Sequence, residues 1–357
     1  MTAHNALPSS TNRRLLRLVA IAALVAAVVY VLRPVGHVLL LLFSAVLLGI
    51  FLHKTAWYLS RSIHLPRPLA LALVIIGIAG TLILFAWWAG PAIADQATGL
   101  VDRLKEGLQR LQSVADRFSI TRALVEGAEP ATQMIPDGAS VLSSITGVFS
   151  SALESLTSLL IVLLVGIYLA LQPGLYVDTA VRVIPRDRRG RVCEVIVTIG
   201  DTLWLWLLAR LASMAVVGLL TALGLWAIGL PLAFVLAVIA GLLSFIPFLG
   251  PVLSVIPALL VALVEGMDMV LYVGLVYFGI QQLESYFITP LIEQRTVSQP
   301  PALLIAAQLL LGAVFRLLGV MLASPIVLVV ILLVQMLYIE DVLGEKVTLM
   351  GKRRNGE

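Results

Sequence analysis

One cysteine, four histidines and few charges leave little room for several kinds of protein. Cys193 alone supports no intramolecular disulfide framework and no multi-thiolate metal site. His4, His37, His53 and His64 form no HxxxH or HExxH pair, which removes a zinc-dependent intramembrane protease. Only 12% of the 357 residues are charged and 60% are hydrophobic, with a mean hydropathy of +1.05. Soluble chains carry about 45–50% apolar and about 25% charged residues, so no water-soluble fold hides this much apolar surface. The alternating segments of ~10 residues that mark a membrane barrel are missing as well. Several uninterrupted apolar runs instead reach the ~20 residues a spanning helix needs. Only internally hydrogen-bonded backbone survives in hydrocarbon, so the expected fold class is an all-α, polytopic membrane protein whose first partner is the lipid bilayer.

The apolar runs fall at about 18–32, 35–52, 68–90, 153–173, 205–228, 232–264, 269–289 and 302–338. The 24 basic against 20 acidic residues flank these runs, so the excess reports topology and no nucleic-acid partner is implied. Arg13, Arg14 and Arg17 open an apolar stretch with no small-residue cleavage site after it, which reads as a signal anchor. Lys54, Arg61 and Arg67, then Arg182, Arg186, Arg188, Arg189 and Arg191, join that first group on one side if each of the first four runs crosses once. The positive-inside rule makes that side the cytoplasm, with both termini there and the inner membrane of a bacterium as the location.

Residues 91–150 then lie outside, with seven acidic against five basic residues. Within them Ala97, Val101, Leu104, Leu108, Leu111, Ala115 and Phe118 alternate spacings of four and three, a heptad seam that fits packing on a neighbour or self-association into a homo-oligomer. From Arg186 to about Thr202, Val192, Val195, Ile196 and Ile199 share one face, as in a helix lying in the cytoplasmic interface. The expected organisation is therefore three spans in 1–90, an extracytoplasmic helical insertion in 91–150, a fourth span and interfacial helix in 151–204, a core in 205–338 and a cytoplasmic tail in 339–357.

Two runs are too long for one crossing. In the sixth, Pro247 and Pro251 each remove a backbone donor, and Gly250 between them tolerates positive φ, so a helical hairpin is expected to turn at Pro247–Pro251. In the eighth, Arg316 stands between Gly312 and Gly319, and a second hairpin entering from the opposite face leaves the basic C-terminus inside. Gly250-Pro-Val-Leu-Ser-Val-Ile-Pro257 faintly matches Gly319-Val-Met-Leu-Ala-Ser-Pro325, which makes the hairpins a candidate inverted repeat. Interrupted helices in related positions of two inverted halves mark the cargo site of secondary transporters; the bland alternative is kinks in a structural bundle.

The set Phe245-Ile-Pro-Phe-Leu-Gly-Pro251, Gln282-Leu-Glu-Ser-Tyr-Phe-Ile-Thr-Pro290, Val297-Ser-Gln-Pro-Pro301 and Gly312…Gly319…Ala323-Ser-Pro325 resembles the AI-2E transporter family. That family includes exporters of the autoinducer-2 quorum signal and sodium(lithium)/proton antiporters. The resemblance implies about eight membrane segments, an oligomeric assembly, no cofactor and no nucleotide-driven step. Arg316 and Ser285-Tyr286 depart from the family pattern.

The expected cargo or ion path runs through Pro247, Gly250, Pro251, Gln281, Glu284, Pro290, Arg316, Gly319 and Pro325. An ionisable group at membrane depth is costly and faces a cavity, a partner or an ion path, which singles out Glu284 as a proton or cation relay. Arg316 is expected to bind an anionic group, to pair with Glu284 or to snorkel. Gln308 and Ser324 are expected to join helices, and Arg210 to serve as a positive-inside anchor. Three readings stand: a permease of a small solute such as autoinducer-2, a sodium(lithium)/proton antiporter, and a membrane scaffold using the 91–150 insertion. An intramembrane enzyme lacks its nucleophile and metal motifs.

Overall fold

The computed structural model describes residues 10–117, 157–288 and 299–344, and among them every regular element is a helix. In chain order these are α1 (Ser10–Ile63), α2 (Arg67–Arg117), α3 (Thr157–Leu171), α4 (Pro173–Arg182), α5 (Arg189–Ala227), α6 (Ala233–Leu243), α7 (Leu249–Glu265), α8 (Met267–Leu283) and α9 (Pro301–Leu333). Short π-helical turns, Glu284–Ile288 and Val334–Glu340, prolong α8 and α9. Val35–Ile63, Arg67–Leu111, Arg189–Ala227 and Pro301–Glu340 are long and apolar enough to cross a membrane, and α3 with α4, bent by 83°, makes a fifth candidate.

The first two apolar runs do not form two antiparallel crossings. They share the 54 residues of α1, about 80 Å of helix, which cannot bring Arg13 and Lys54 to one side. Pro34 fails to end it, because a membrane helix tolerates proline where no turn chemistry follows. Pro91 is likewise absorbed within α2, so the boundary expected at 90/91 lies inside a continuous helix, and the boundary at 204/205 lies inside α5. Residues 118–150 of the expected insertion lie outside the described residues.

The first hairpin forms where its sequence breaks. α6 ends at Leu243, the chain turns through Phe248 at φ 63°, and α7 begins at Leu249. Gly250 closes the turn, since a Cβ there would meet the Leu243 carbonyl oxygen at 1.9 Å. The second hairpin follows the same plan around Arg316, whose φ of 55° and ψ of −137° interrupt α9. A Cβ on Gly319 would lie 2.1 Å from the Leu311 oxygen, and one on Gly312 would lie 2.6 Å from Val320. Eight residues of straight helix span about 12 Å, so these approaches require the chain to fold back at Arg316. With 11 residues in α6 and 15 in the arm 301–315, neither first arm reaches across a ~30 Å hydrocarbon core.

The core is divided among the helices that hold the hairpins. Leu225 of α5, Leu236 of α6, Val261 of α7 and Val273 of α8 are fully buried together, with Leu100 of α2 against them. Leu40 of α1, Leu203 and Trp206 of α5 and Leu328 of α9 form a second cluster, which Phe245 and Phe315 join from the two hairpin turns. α2 docks on α7 through Leu100, Leu104 and Gly107, where a Cβ on Gly107 would meet the Leu260 oxygen at 2.5 Å. That face has the same 4-3 spacing displaced to a neighbouring stripe and shares only Leu104 with the expected seam, so Val101, Leu108 and Leu111 remain exposed and Phe118 lies outside the described residues.

Ion pairs bind the rim: Lys54 to Asp201, Arg103 to Glu265, and Arg191 to Glu340 at 2.5 Å and Asp341 at 3.0 Å. Each joins residues that the charge pattern places on one side of the membrane. The amphipathic stretch before the fifth run continues unbroken into α5, and Val195 is buried in the protein interior.

Candidate transport site

The face of α5 that meets the first hairpin carries Arg210, Ser213, Val217 and Thr221, spaced by three and then four residues. Glycine lets the backbones come together there: a Cβ on Gly241 of α6 would lie 3.0 Å from the Met214 oxygen of α5. α8 presents Tyr277, Ile280, Gln281 and Glu284 from the other side. Between them opens a small, narrow cleft, lined by Val217, Thr221, Ala240, Ser244, Pro251, Ser254, Tyr277, Ile280, Gln281 and Glu284. The turn of the first hairpin, with Ser244 before it and Pro251 after it, forms part of its wall.

Glu284 is 8% exposed and accepts a hydrogen bond from Ser213 Oγ at 3.1 Å. It stands where α8 passes into a π-helical turn, a distortion common at functional positions in helices. The hydroxyl protons around the pocket are mostly spent on backbone. Ser244 Oγ donates to the Gly241 carbonyl at 2.8 Å, Ser254 Oγ to Pro251 at 2.9 Å, and Tyr277 donates to the Ser254 carbonyl at 3.3 Å. What remains to face a cargo is the Glu284 carboxylate, the Gln281 amide, hydroxyl lone pairs and Thr221 Oγ1, which is buried without a partner. Such a lining receives hydrogen-bond donors and cations. Among the described residues no group of three metal-ligating side chains gathers anywhere.

A sequence profile described as AI-2E family transporter matches residues 18–339. The chain belongs to the AI-2E transporter family. It is a multi-pass membrane protein of a family of transporters. The Bacillus subtilis (strain 168) protein named "Putative transport protein YueF" is 24% identical over 281 residues, covering 74% of this chain and 75% of its own length. The similarly named YrrI of the same organism is 28% identical over 141 residues, 40% of each chain. A like-named protein of Thermotoga maritima is 33% identical over 110 residues, 30% of this chain and 34% of its own.

In this AI-2E family member the residues expected on the path are only partly brought together. Pro251, Gln281 and Glu284 line the pocket, with Pro247 and Gly250 in the turn beside it. Arg316, Gly319 and Pro325 do not: Arg316 makes the second turn, Gly319 closes it and Pro325 is buried in the second arm. Pro290 lies outside the described residues. Arg316 does not pair with Glu284, whose side-chain partner is Ser213. Arg210, expected as a positive-inside anchor, is partly exposed, with its Nε buried and without a hydrogen-bond partner.

The second hairpin supports the site from behind. Gln308 is fully buried and donates from Nε2 to the Pro247 carbonyl at 2.9 Å, tying one hairpin to the turn of the other. Ser324 and Gln299 exchange two bonds, Oγ to Oε1 at 2.9 Å and Nε2 to the Ser324 carbonyl at 3.0 Å. Replacing Gln308 by alanine removes a buried donor, so thermal unfolding in detergent is expected to register a loss of about 1–3 kcal/mol. An unchanged melting curve would show that the two hairpins hold together without it.

Sequence reasoning missed Ser213, Thr221, Ser244, Ser254 and Tyr277. A usable signal was present in the i, i+3, i+7, i+11 run of Arg210, Ser213, Val217 and Thr221, which puts three polar residues on one stripe of an otherwise apolar helix.

Proposed function

We propose that the protein is a secondary transporter of the bacterial inner membrane, its C-terminus cytoplasmic, that carries a small polar solute through the pocket between α5, α8 and the first hairpin. The observation that carries this reading is Glu284, a carboxylate buried at membrane depth on the wall of a polar pocket that a broken helix closes. A spanning bundle needs no such group, and an ionisable side chain is retained there where it handles an ion, a proton or a partner. The turn at Pro247–Pro251 and its counterpart at Arg316 supply the movable, non-helical backbone that alternating access uses.

A cargo rich in hydrogen-bond donors, such as autoinducer-2, suits the acceptor-rich wall. Exchange of sodium or lithium for a proton is the second version, favoured by the carboxylate itself. Assembly as a homo-oligomer belongs to the same reading, supported by the exposed Val101, Leu108 and Leu111.

Purified protein in liposomes with a trapped pH-sensitive dye separates these. Sodium or lithium pulses are expected to evoke proton movement. If they do not, antiport is excluded and efflux of loaded autoinducer-2 becomes the deciding measurement. Neither flux would leave only a membrane scaffold.

A further inference from the structure

α1 and α3 run side by side in the same direction. Gly166 faces Ala45 and Leu48, Leu169 faces Gly49, and His53 Nδ1 donates to the Ala170 carbonyl at 3.0 Å, so residue numbers climb together along both helices. Just past Ala170 the chain bends by 83° into α4. A helix set at nearly a right angle to a crossing helix lies close to the membrane plane. Its depth is given by its neighbours. His53 precedes Lys54, which pairs with Asp201 of α5, and a turn further on Trp57 packs edge-on against Tyr58, whose ring stacks on Trp204 at 4.8 Å. Tryptophan and tyrosine gather where headgroups meet water, and the charge pattern makes this boundary the cytoplasmic one.

No residue of α4 is buried. Val177 and Val181, one turn apart, are half-buried and mark the side turned to the protein. Tyr176, Ala180 and Val183 stand at i, i+4 and i+7 on another stripe and are exposed, Val183 by 85%, with Leu175 beside them at 58%. Asp178 and Arg182 form a polar edge. Laid flat at the boundary, such a helix sinks its apolar stripe among the headgroups and keeps its polar edge in water. The charge nearby has one sign in excess, since residues 173–190 hold four arginines against two aspartates. Arg189 is spent on the carbonyls of Arg182 and Ile184, both at 3.0 Å, which ties down the end of α4. Arg182 and Arg186 are exposed and have no ion-pair partner among the described residues, and Arg188 meets Asp187 only at 3.9 Å.

We infer that α4 is an in-plane anchor that seats on an anionic lipid leaflet, its apolar stripe in the headgroup boundary and Arg182, Arg186 and Arg188 on lipid phosphates. The interfacial helix expected at 186–202 is instead the start of α5, and α4 takes its place. Stripe, arginines and aromatic belt share one depth, and an anionic lipid is the partner that offers both apolar chains and negative charge there. Nothing in this depends on what the pocket carries.

The seat is tested with the full-length chain on a Cys193→Ser background, spin-labelled through Val183→Cys or Asp178→Cys in vesicles of phosphatidylcholine and phosphatidylglycerol. The label at position 183 is expected to collide more with oxygen, which concentrates in the bilayer, than with a water-soluble nickel chelate, and the label at 178 the reverse. A label at 183 open to nickel would overturn the seat. One shielded from both would do so as well, because a protein chain would then cover the face.

The charge is read in detergent micelles by following the melting temperature as phosphatidylglycerol is added. The natural protein is expected to be stabilised by this lipid and not by phosphatidylcholine. With Arg182→Gln, Arg186→Gln and Arg188→Gln combined, the same gain is expected to need at least about a tenfold higher lipid concentration, since each arginine near an anionic surface strengthens binding by a factor of about five. Glutamine leaves these exposed positions polar, so the variant is expected to fold. No gain from phosphatidylglycerol, an equal gain from phosphatidylcholine, or an unchanged concentration for the triple variant would refute the anionic partner.

Discussion

Glu284→Gln is expected to lower transport about ten- to hundredfold while the protein remains folded and monodisperse. Glutamine keeps the shape of the side chain, and its carbonyl oxygen can still accept from Ser213 Oγ, so the local packing survives. What disappears is the charge. Hydrogen bonds to charged groups contribute about 1.5–3 kcal/mol, and each 1.4 kcal/mol corresponds to a factor of about ten. Size-exclusion chromatography separates loss of function from loss of fold, which matters because the change alters a buried charge. Glu284→Asp keeps the charge on a shorter stem and is expected to retain part of the flux. Flux from Glu284→Gln equal to that of the natural protein would show that the carboxylate carries neither ion nor proton.

The second large effect is structural. Gly250→Val places a Cβ 1.9 Å from the Leu243 oxygen and 2.6 Å from its carbonyl carbon, atoms of backbone that cannot swing aside. Overpacking in a core typically costs about 1–3 kcal/mol, and a clash with backbone lies at or beyond the upper end. The hairpin must open, and with it one wall of the pocket. Folded yield and melting temperature in detergent are expected to fall sharply. Gly77→Val serves as the control, because no atom lies within 4 Å of a Cβ there. A Gly250→Val protein as stable as that control would mean that the two arms do not close on this glycine. Gly319→Val is expected to act in the same direction, against the Leu311 oxygen at 2.1 Å.

Those two glycines mark where the sequence was most readable. A proline pair around Gly250 and a charged residue between Gly312 and Gly319 are local chemistry, and local chemistry decides whether a helix can continue. Both turns are found where those residues stand. Elsewhere the sequence misled: the break between the runs 18–32 and 35–52 and the boundary at 90/91 fall inside α1 and α2, which carry Pro34 and Pro91. A proline ends a membrane helix only where neighbouring packing rewards the turn, and that packing comes from chain segments hundreds of residues apart.

The pocket was legible through Pro251, Gln281 and Glu284, the last because burying a carboxylate is conspicuous in any apolar run. Its hydroxyl partners were not, since a serine or threonine in a membrane helix is ordinary until the opposing helix is known. The heptad seam illustrates the same limit. Its spacing was real, but Arg103, Gly107 and the partner α7 selected a neighbouring face of α2, leaving three seam residues exposed.

The contact between α5 and α6 has a mechanical meaning. Gly218 and Gly241 face each other with Ala237 beside them, and a Cβ on Gly218 would already lie 3.4 Å from the Gly241 Cα. Most helix pairs interlock like gear teeth, so sliding one along the other forces side chains out of their holes. Here the touching surfaces are nearly toothless, so the two backbones come close enough to seat the first hairpin firmly against α5, beside the pocket whose wall it forms.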